Sequence, residues 1–210
     1  MSDFDRLTRL FEAFPGVGAR QAKRFVYHLL HAPADDVAQL VASLHAVRSS
    51  VIECTQCRRY FTRQQDGSTI CDICRNATRD REKLLVVAQD NDLQAIERSG
   101  VYNGLYFVLG GTVPLLSENE TKRVRINGLK KLLEQLVSVD GCREVILGFP
   151  VNPDGENTAR FVRSQIAAII EPYQVTVAQL GRGLSTGSEL EYADSETLKS
   201  AWSNRTADNF

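Results

Sequence analysis

Apolar positions in the first fifty residues recur at helical spacing. Leu7, Leu10, Phe11 and Phe14 form one stripe, and Ala22, Phe25, Val26, Leu29 and Leu30 form a second. Both follow the i, i+3, i+4 rhythm of a helix with one buried face. Between them "FPGVG" places a proline and two glycines, residues that stop a helix and permit a tight turn. The pattern predicts helix, turn, helix. A third stripe, Val37, Leu40, Val41, Leu44, Val47 and Val51, follows the acids Asp35 and Asp36, which suit a helix N-terminus. It predicts an amphipathic helix packed on the first two.

Beyond Lys83 the rhythm changes. Short continuous apolar runs at 84–88, 105–109, 144–149 and 175–180 alternate with helical stretches near 92–98, 121–138 and 156–171. Runs apolar on both faces and separated by helices predict an α/β unit with a mainly parallel, doubly covered sheet. From Gly181 the chain is rich in Gly and Ser, and turns helical after Asp194.

Between the two regions, "CTQCRRYFTRQQDGSTICDIC" has too few apolar residues to form a core. It carries Cys54, Cys57, Cys71 and Cys74, two C-x2-C pairs thirteen residues apart. Two such knuckles can close a tetrahedral shell of thiolates around one zinc ion, and "QDGST" supplies the turn that folds one knuckle onto the other. Disulfides are disfavoured in a cytosolic protein, and a redox C-x-x-C would be single and near a βαβ start. Four thiolates leave no open position for substrate, so the expected zinc is a structural staple, one per chain. Cys142, just before an apolar run, is expected to be a small buried hydrophobe. The organisation is thus α+β and multi-module: a helical hairpin region at 1–53, a four-cysteine module at 54–82, an α/β domain at 83–180 and a C-terminal segment at 181–210.

Composition is that of a globular protein: of 210 residues, 43% are hydrophobic and 24% charged. The charged N-terminus "MSDFDRLTRL" and the lack of a long apolar run argue against a secretory signal or a membrane span, so a cytoplasmic protein is expected. A net charge of -1 conceals an uneven spread. Residues 1–83 carry 13 Lys+Arg against 10 Asp+Glu, and residues 84–210 carry 12 against 16. Affinity for a polyanion depends on the local field, so the basic N-terminal part remains a candidate for nucleic acid. His28, His31 and His45 have no partner nucleophile pattern, and "GRGLSTGS" lacks the Gly-Lys-Ser/Thr of a phosphate loop.

Taken in order along the chain, these segments resemble the RecR family of bacterial recombination mediators. "FPGVGARQAKRFVYHLL" is similar to its helix-hairpin-helix, and the four-cysteine run to its zinc module. "GLYFVLGGTVPL", "EVILGF" and "GRGLSTGSELEYADSETL" are similar to its Toprim domain and C-terminal segment. The resemblance implies a non-enzymatic, DNA-binding mediator of recombinational repair, associated with the nucleoid. It also implies action with RecO-type and RecF-type partners to load recombinase at gapped DNA, and a homo-oligomer, a tetrameric ring around DNA.

The hairpin then has a physical reading. Unpaired backbone amides after Gly16 and Gly18 face a phosphate along the helix dipole, and Arg20, Lys23 and Arg24 add side-chain contacts that carry no base information. If the hairpin is only a turn, the basic residues Arg58, Arg59 and Arg63 are the next candidates. Catalytic Toprim domains hold Mg²⁺ with a Glu after the first strand and an Asp-x-Asp after a later one. Here Ala88 stands at the Glu position and no Asp-x-Asp follows "EVILGF". Asp90, Asp92, Asp154 and Glu156 remain as a candidate Mg²⁺ or partner site, although carboxylates also cap helices and turns. Two rival readings are a divergent Toprim nuclease or primase, and a zinc-stapled interaction module without DNA affinity.

Overall fold

The computed structural model describes residues 1–115, 124–181, 183, 184, 187 and 189–205. The chain divides into two compact units, Met1–Ile52 and Glu53–Phe210. Among the described residues no helix is long and apolar enough to cross a membrane.

The first unit holds three helices, α1 (Asp3–Glu12), α2 (Ala19–His31) and α3 (Ala34–Ser50). A capping box starts α1: the Ser2 hydroxyl accepts from the Asp5 amide, and the Asp5 carboxylate accepts from the Ser2 amide. α1 and α2 pack through part of the expected stripes, with Phe11 edge-on to Phe25 at 5.6 Å and Ala22 and Val26 buried, and also through Phe4 against Tyr27 at 5.2 Å, whereas Leu10, Phe14 and Leu30 of the stripes stay exposed. The third helix departs from expectation. No residue of α3 is buried, and Leu40, Val41, Leu44 and Val47 remain 44–60% exposed. Only Val37 is half-buried, close to the end of α2. Periodicity reports that a face suits burial but not what buries it, and within this unit nothing does.

The second unit opens with the cysteine module. A three-residue strand, β1 (Val51–Glu53), runs across the boundary of the units, and β2 (Tyr60–Thr62) and a short helix α4 (Asp72–Arg75) follow. The turn signal between the knuckles is realised: Gly67 has φ +70°, and the Asp66 carboxylate accepts from the Ser68 amide at 2.9 Å.

The α/β part runs β3 (Asp80–Val87), α5 (Asp90–Ser99), β4 (Gly104–Val108), α6 (Ile126–Gln135), β5 (Glu144–Gly148), α7 (Pro153–Ile170) and β6 (Thr176–Gln179). The sheet order is β4-β3-β5-β6, all parallel, with Leu85 opposite Tyr106 on one side and Ile146 on the other. Each expected strand and helix forms within a few residues of its predicted span, except that residues 116–123 lie outside the described residues. Leu84 and Val86 of β3, Leu129 and Leu133 of α6, and Val162 and Ile166 of α7 centre one core, which also takes up Cys142. β3 connects to β4 on one side and its other neighbour is β5, so the strand order reverses at the carboxyl ends of β3 and β5. Open α/β sheets place their sites there. A last helix, α8 (Ser195–Ser203), follows Asp194, whose carboxylate accepts from the Thr197 amide at 2.9 Å as expected of a cap.

The cysteine module is continuous with this sheet. The Cys57 carbonyl accepts the Val108 amide of edge strand β4 at 2.8 Å, and the Tyr60 amide donates to the Asp90 carboxylate at 2.8 Å. Glu53 bridges two guanidinium groups, with Arg58 at 3.1 Å on one oxygen and Arg125, just before α6, at 2.9 Å on the other.

Candidate metal centre and nucleic-acid interface

Two backbone bonds shape the first knuckle. The Cys54 amide donates to the Arg59 carbonyl at 2.8 Å, and the Arg58 amide to the Cys54 carbonyl at 3.0 Å, with Arg58 in the left-handed region at φ +66°. The second knuckle is the start of α4, where the Arg75 amide bonds the Cys71 carbonyl at 3.0 Å. The result brings all four sulfurs within 4.8 Å of one another, every cysteine buried and none in a disulfide. Cys54 and Cys74 sulfurs stand 3.9 Å apart, and Cys57 and Cys71 sulfurs 3.6 Å apart. Tetrahedral metal–thiolate bonds of about 2.3 Å require sulfur–sulfur edges of about 3.8 Å, so the cage fits a metal ion.

Crowding four thiols without solvent forces them to share protons unequally. Hydrogen bonds with Cys57, Cys71 and Cys74 draw the Cys54 thiol far below its ordinary value, while those with Cys54, Cys71 and Cys74, together with burial, push Cys57 up. Cys54 works to raise the Cys71 thiol, but bonds from Cys57 and Cys74 and from Arg59 outweigh it and bring it down to about 6. A metal ion held by the four sulfurs would replace the remaining protons and remove the conflict.

Arg59 borders this cage. Its side chain is 16% exposed and pairs with the Asp72 carboxylate. Burial works against its charge, but Cys71, Asp72 and Cys57 more than offset that, so the guanidinium holds its proton more tightly than usual. Arg58 is tied to Glu53, which leaves Arg63 as the exposed member of the trio considered as an alternative basic surface. Spacing in the sequence located these arginines but gave no sign that two of them turn inward.

The hairpin has the expected local geometry. Gly16 lies at φ +76°, and the Val17 amide turns back to the Phe14 carbonyl at 3.0 Å. Gly18 is the N-cap of α2 and offers no side chain to its amides; the first helical bond is Ala22 to Gly18 at 2.9 Å. The amides of Ala19, Arg20 and Gln21 therefore lie at the positive end of the helix dipole. Arg20, Lys23 and Arg24 are all exposed, and Arg24 bonds Gln21 at 3.3 Å.

The acidic residues are used locally. Asp90 accepts from Tyr60, Asp92 from the Gln89 amide at 2.8 Å as part of a capping box, and Asp154 from the Leu115 amide at 3.1 Å. Glu156 is exposed in the first turn of α7. Among the described residues the four cysteines are the one group of three or more His, Cys, Asp or Glu placed to hold an ion, so the carboxylates are not gathered as a metal site. Ala88 is buried at the end of β3, its carbonyl accepting from Gly110 at 2.9 Å. Beside it opens a cleft of about 400 Å³ lined by Tyr60, Gln89, Asp90, Asn91, Gly110 and Arg125.

Comparison with known proteins agrees with this layout. The family model described as RecR, helix-hairpin-helix matches residues 4–48, the Toprim domain model residues 82–180, and the RecR, C-terminal model residues 183–206. The chain is 35% identical over 204 residues to Recombination protein RecR of Lactobacillus helveticus, covering 96% of each chain. It is 37% identical over 197 residues to Recombination protein RecR of Prochlorococcus marinus, covering 94% of this chain and 97% of that one. A helical hairpin, a four-cysteine cage and a parallel Toprim sheet thus occur in one chain alongside near full-length relatives of that name, and the chain belongs to the RecR family.

Proposed function

We propose that this protein is a DNA-binding mediator of recombinational repair that performs no chemistry of its own. It loads recombinase at gapped DNA with RecO-type and RecF-type partners. The relatives named as recombination proteins support the process. The start of α2 supports the contact: amides without a side-chain cap, followed by exposed Arg20, Lys23 and Arg24, suit a phosphate backbone and read no base edge. The cage takes zinc as a closed structural site with Cys54, Cys57, Cys71 and Cys74 as ligands, and zinc supplies folding free energy rather than catalysis. Each chain grips DNA weakly, and assembly into a ring of four sums those grips. The exposed Leu40, Val41, Leu44 and Val47 of α3 support self-association. The acidic surface near Asp90, Asp92, Asp154 and Glu156 serves contacts with protein partners.

A salt titration tests the DNA contact. Each phosphate neutralised on duplex DNA releases counterions and adds about -0.9 to the slope of log K against log salt. Arg20→Ala with Arg24→Ala is expected to flatten that slope by roughly two units per engaged chain and to weaken binding evenly across sequences. Both side chains are exposed, so the fold is expected to survive. A folded double variant with unchanged affinity and slope would show the hairpin to be only a turn.

Absence of catalysis is tested separately. Alanine at position 88 neither ligates Mg²⁺ nor carries a proton. The purified protein is expected to show no Mg²⁺-dependent cleavage, primer synthesis or ATP hydrolysis. Turnover that disappears in an Asp154→Asn, Glu156→Gln double variant would favour the nuclease or primase reading instead.

A further inference from the structure

The four-thiolate cage carries more negative charge than a divalent metal can neutralise, and it is buried. Such a centre needs a compensating donor close to the sulfurs. The arginines of the module are not equivalent in this respect. Arg58 is turned to Glu53, and Arg75 to Asp66. Arg59 alone among these three is held beside a ligand: its guanidinium pairs with Asp72, the neighbour of Cys71, and its side chain is only 16% exposed. Its Nε is buried and has no hydrogen-bond partner, and a metal-bound thiolate is a strong acceptor for such an orphaned donor. The backbone reinforces the arrangement, because the Arg59 carbonyl accepts the Cys54 amide at 2.8 Å and so ties the residue to a second ligand.

We propose that Arg59 is an outer-shell positioning residue of the metal centre, donating to the Cys71 sulfur and holding that ligand on the ion against loss. Asp72, which pairs with the guanidinium and is itself largely exposed, only orients it. The inference rests on the cage being metal-loaded.

The test uses the full chain purified without chelator. Metal content per chain is measured first, and the rate of metal transfer to excess chromogenic chelator at neutral pH is measured second. Arg59→Met, which keeps the length and loses the charge and the donors, is expected to release metal 10- to 100-fold faster, the usual effect of removing an outer-shell partner. Arg59→Lys keeps a charge without the planar fork and is expected to fall in between. Asp72→Asn is expected to stay within about twofold of the parent. A loaded, folded Arg59→Met protein that releases metal at the parental rate overturns the proposal, as does Asp72→Asn reproducing the full acceleration. If Arg59→Met does not fold, Arg59→Lys decides by the same measure: parental release overturns the proposal, and faster release sustains it. A parent protein without metal overturns the metal reading and this proposal together, whereas a loaded parent indifferent to Arg59 overturns the proposal alone.

Discussion

Cys71→Ser is expected to lose the metal ion and to lower the melting temperature of the protein by roughly 10 °C or more. Metal binding to a segment that cannot fold unaided is folding free energy, about 10–16 kcal/mol for structural zinc in small peptides. The cysteine module has little else to hold it, since β1 and β2 are three residues each and α4 is four. Only part of that energy reaches the whole protein, because the parallel sheet has its own core. A loss of about 4 kcal/mol, at 2–4 °C per kcal/mol for a chain of this size, gives the expected shift. Metal analysis and thermal unfolding followed by circular dichroism check it. A variant with full metal content and an unchanged transition would remove the cage from the list of stabilising elements.

The second large effect is expected at Gly155, in the first turn of α7. Alanine is the best helix former, and in open helix positions replacing Gly gains about 1 kcal/mol. Here a β-carbon would run into the Pro150 carbonyl oxygen and lie 2.8 Å from its carbonyl carbon and 3.1 Å from its nitrogen. All three are backbone atoms of the turn that leads into the helix, so no side-chain rotation relieves the contact. The turn is fixed from both sides, with Pro153 at the helix start and the Asn152 side chain accepting the Gly155 amide at 2.8 Å. Gly155→Ala is expected to destabilise by about 3 kcal/mol, the upper range for overpacking. Gly181→Ala, whose β-carbon would meet open space, is expected to be neutral and serves as the control. Urea unfolding midpoints compare the two.

The sheet and the cage were the most legible features. Leu84, Leu85, Val86 and Val87 are buried as a continuous run because a central parallel strand has no solvent face, and that run marks itself in any sequence. The cysteine spacing was equally direct, since two C-x2-C pairs have few folded outcomes other than a shared ion. What could not be read were relations across the chain. Glu53 looks like any strand-end acid, yet it joins Arg58 to Arg125, seventy-two residues away in sequence from Glu53. Arg59 reads as a surface cation until the fold turns its side chain inward onto Asp72. The α3 stripe shows the opposite limit: Leu44 at 60% exposure has the pattern of a core residue without a core. The acids at 90, 92 and 154 were visible as residue types, but their use in caps and turns follows from backbone amides that a sequence does not display.

Strand β4 is an edge of the four-stranded sheet, and all five of its residues are buried. An apolar edge strand is a template on which another chain can add a strand, and proteins that keep one must cover it. At its carboxyl end the strand is capped by the first cysteine knuckle, whose Cys57 carbonyl takes the Val108 amide. Were the knuckle to open, the end of an apolar edge strand would be bared, and such an end is a template for aggregation, so the fold of this small module bears on colloidal behaviour as well as on stability.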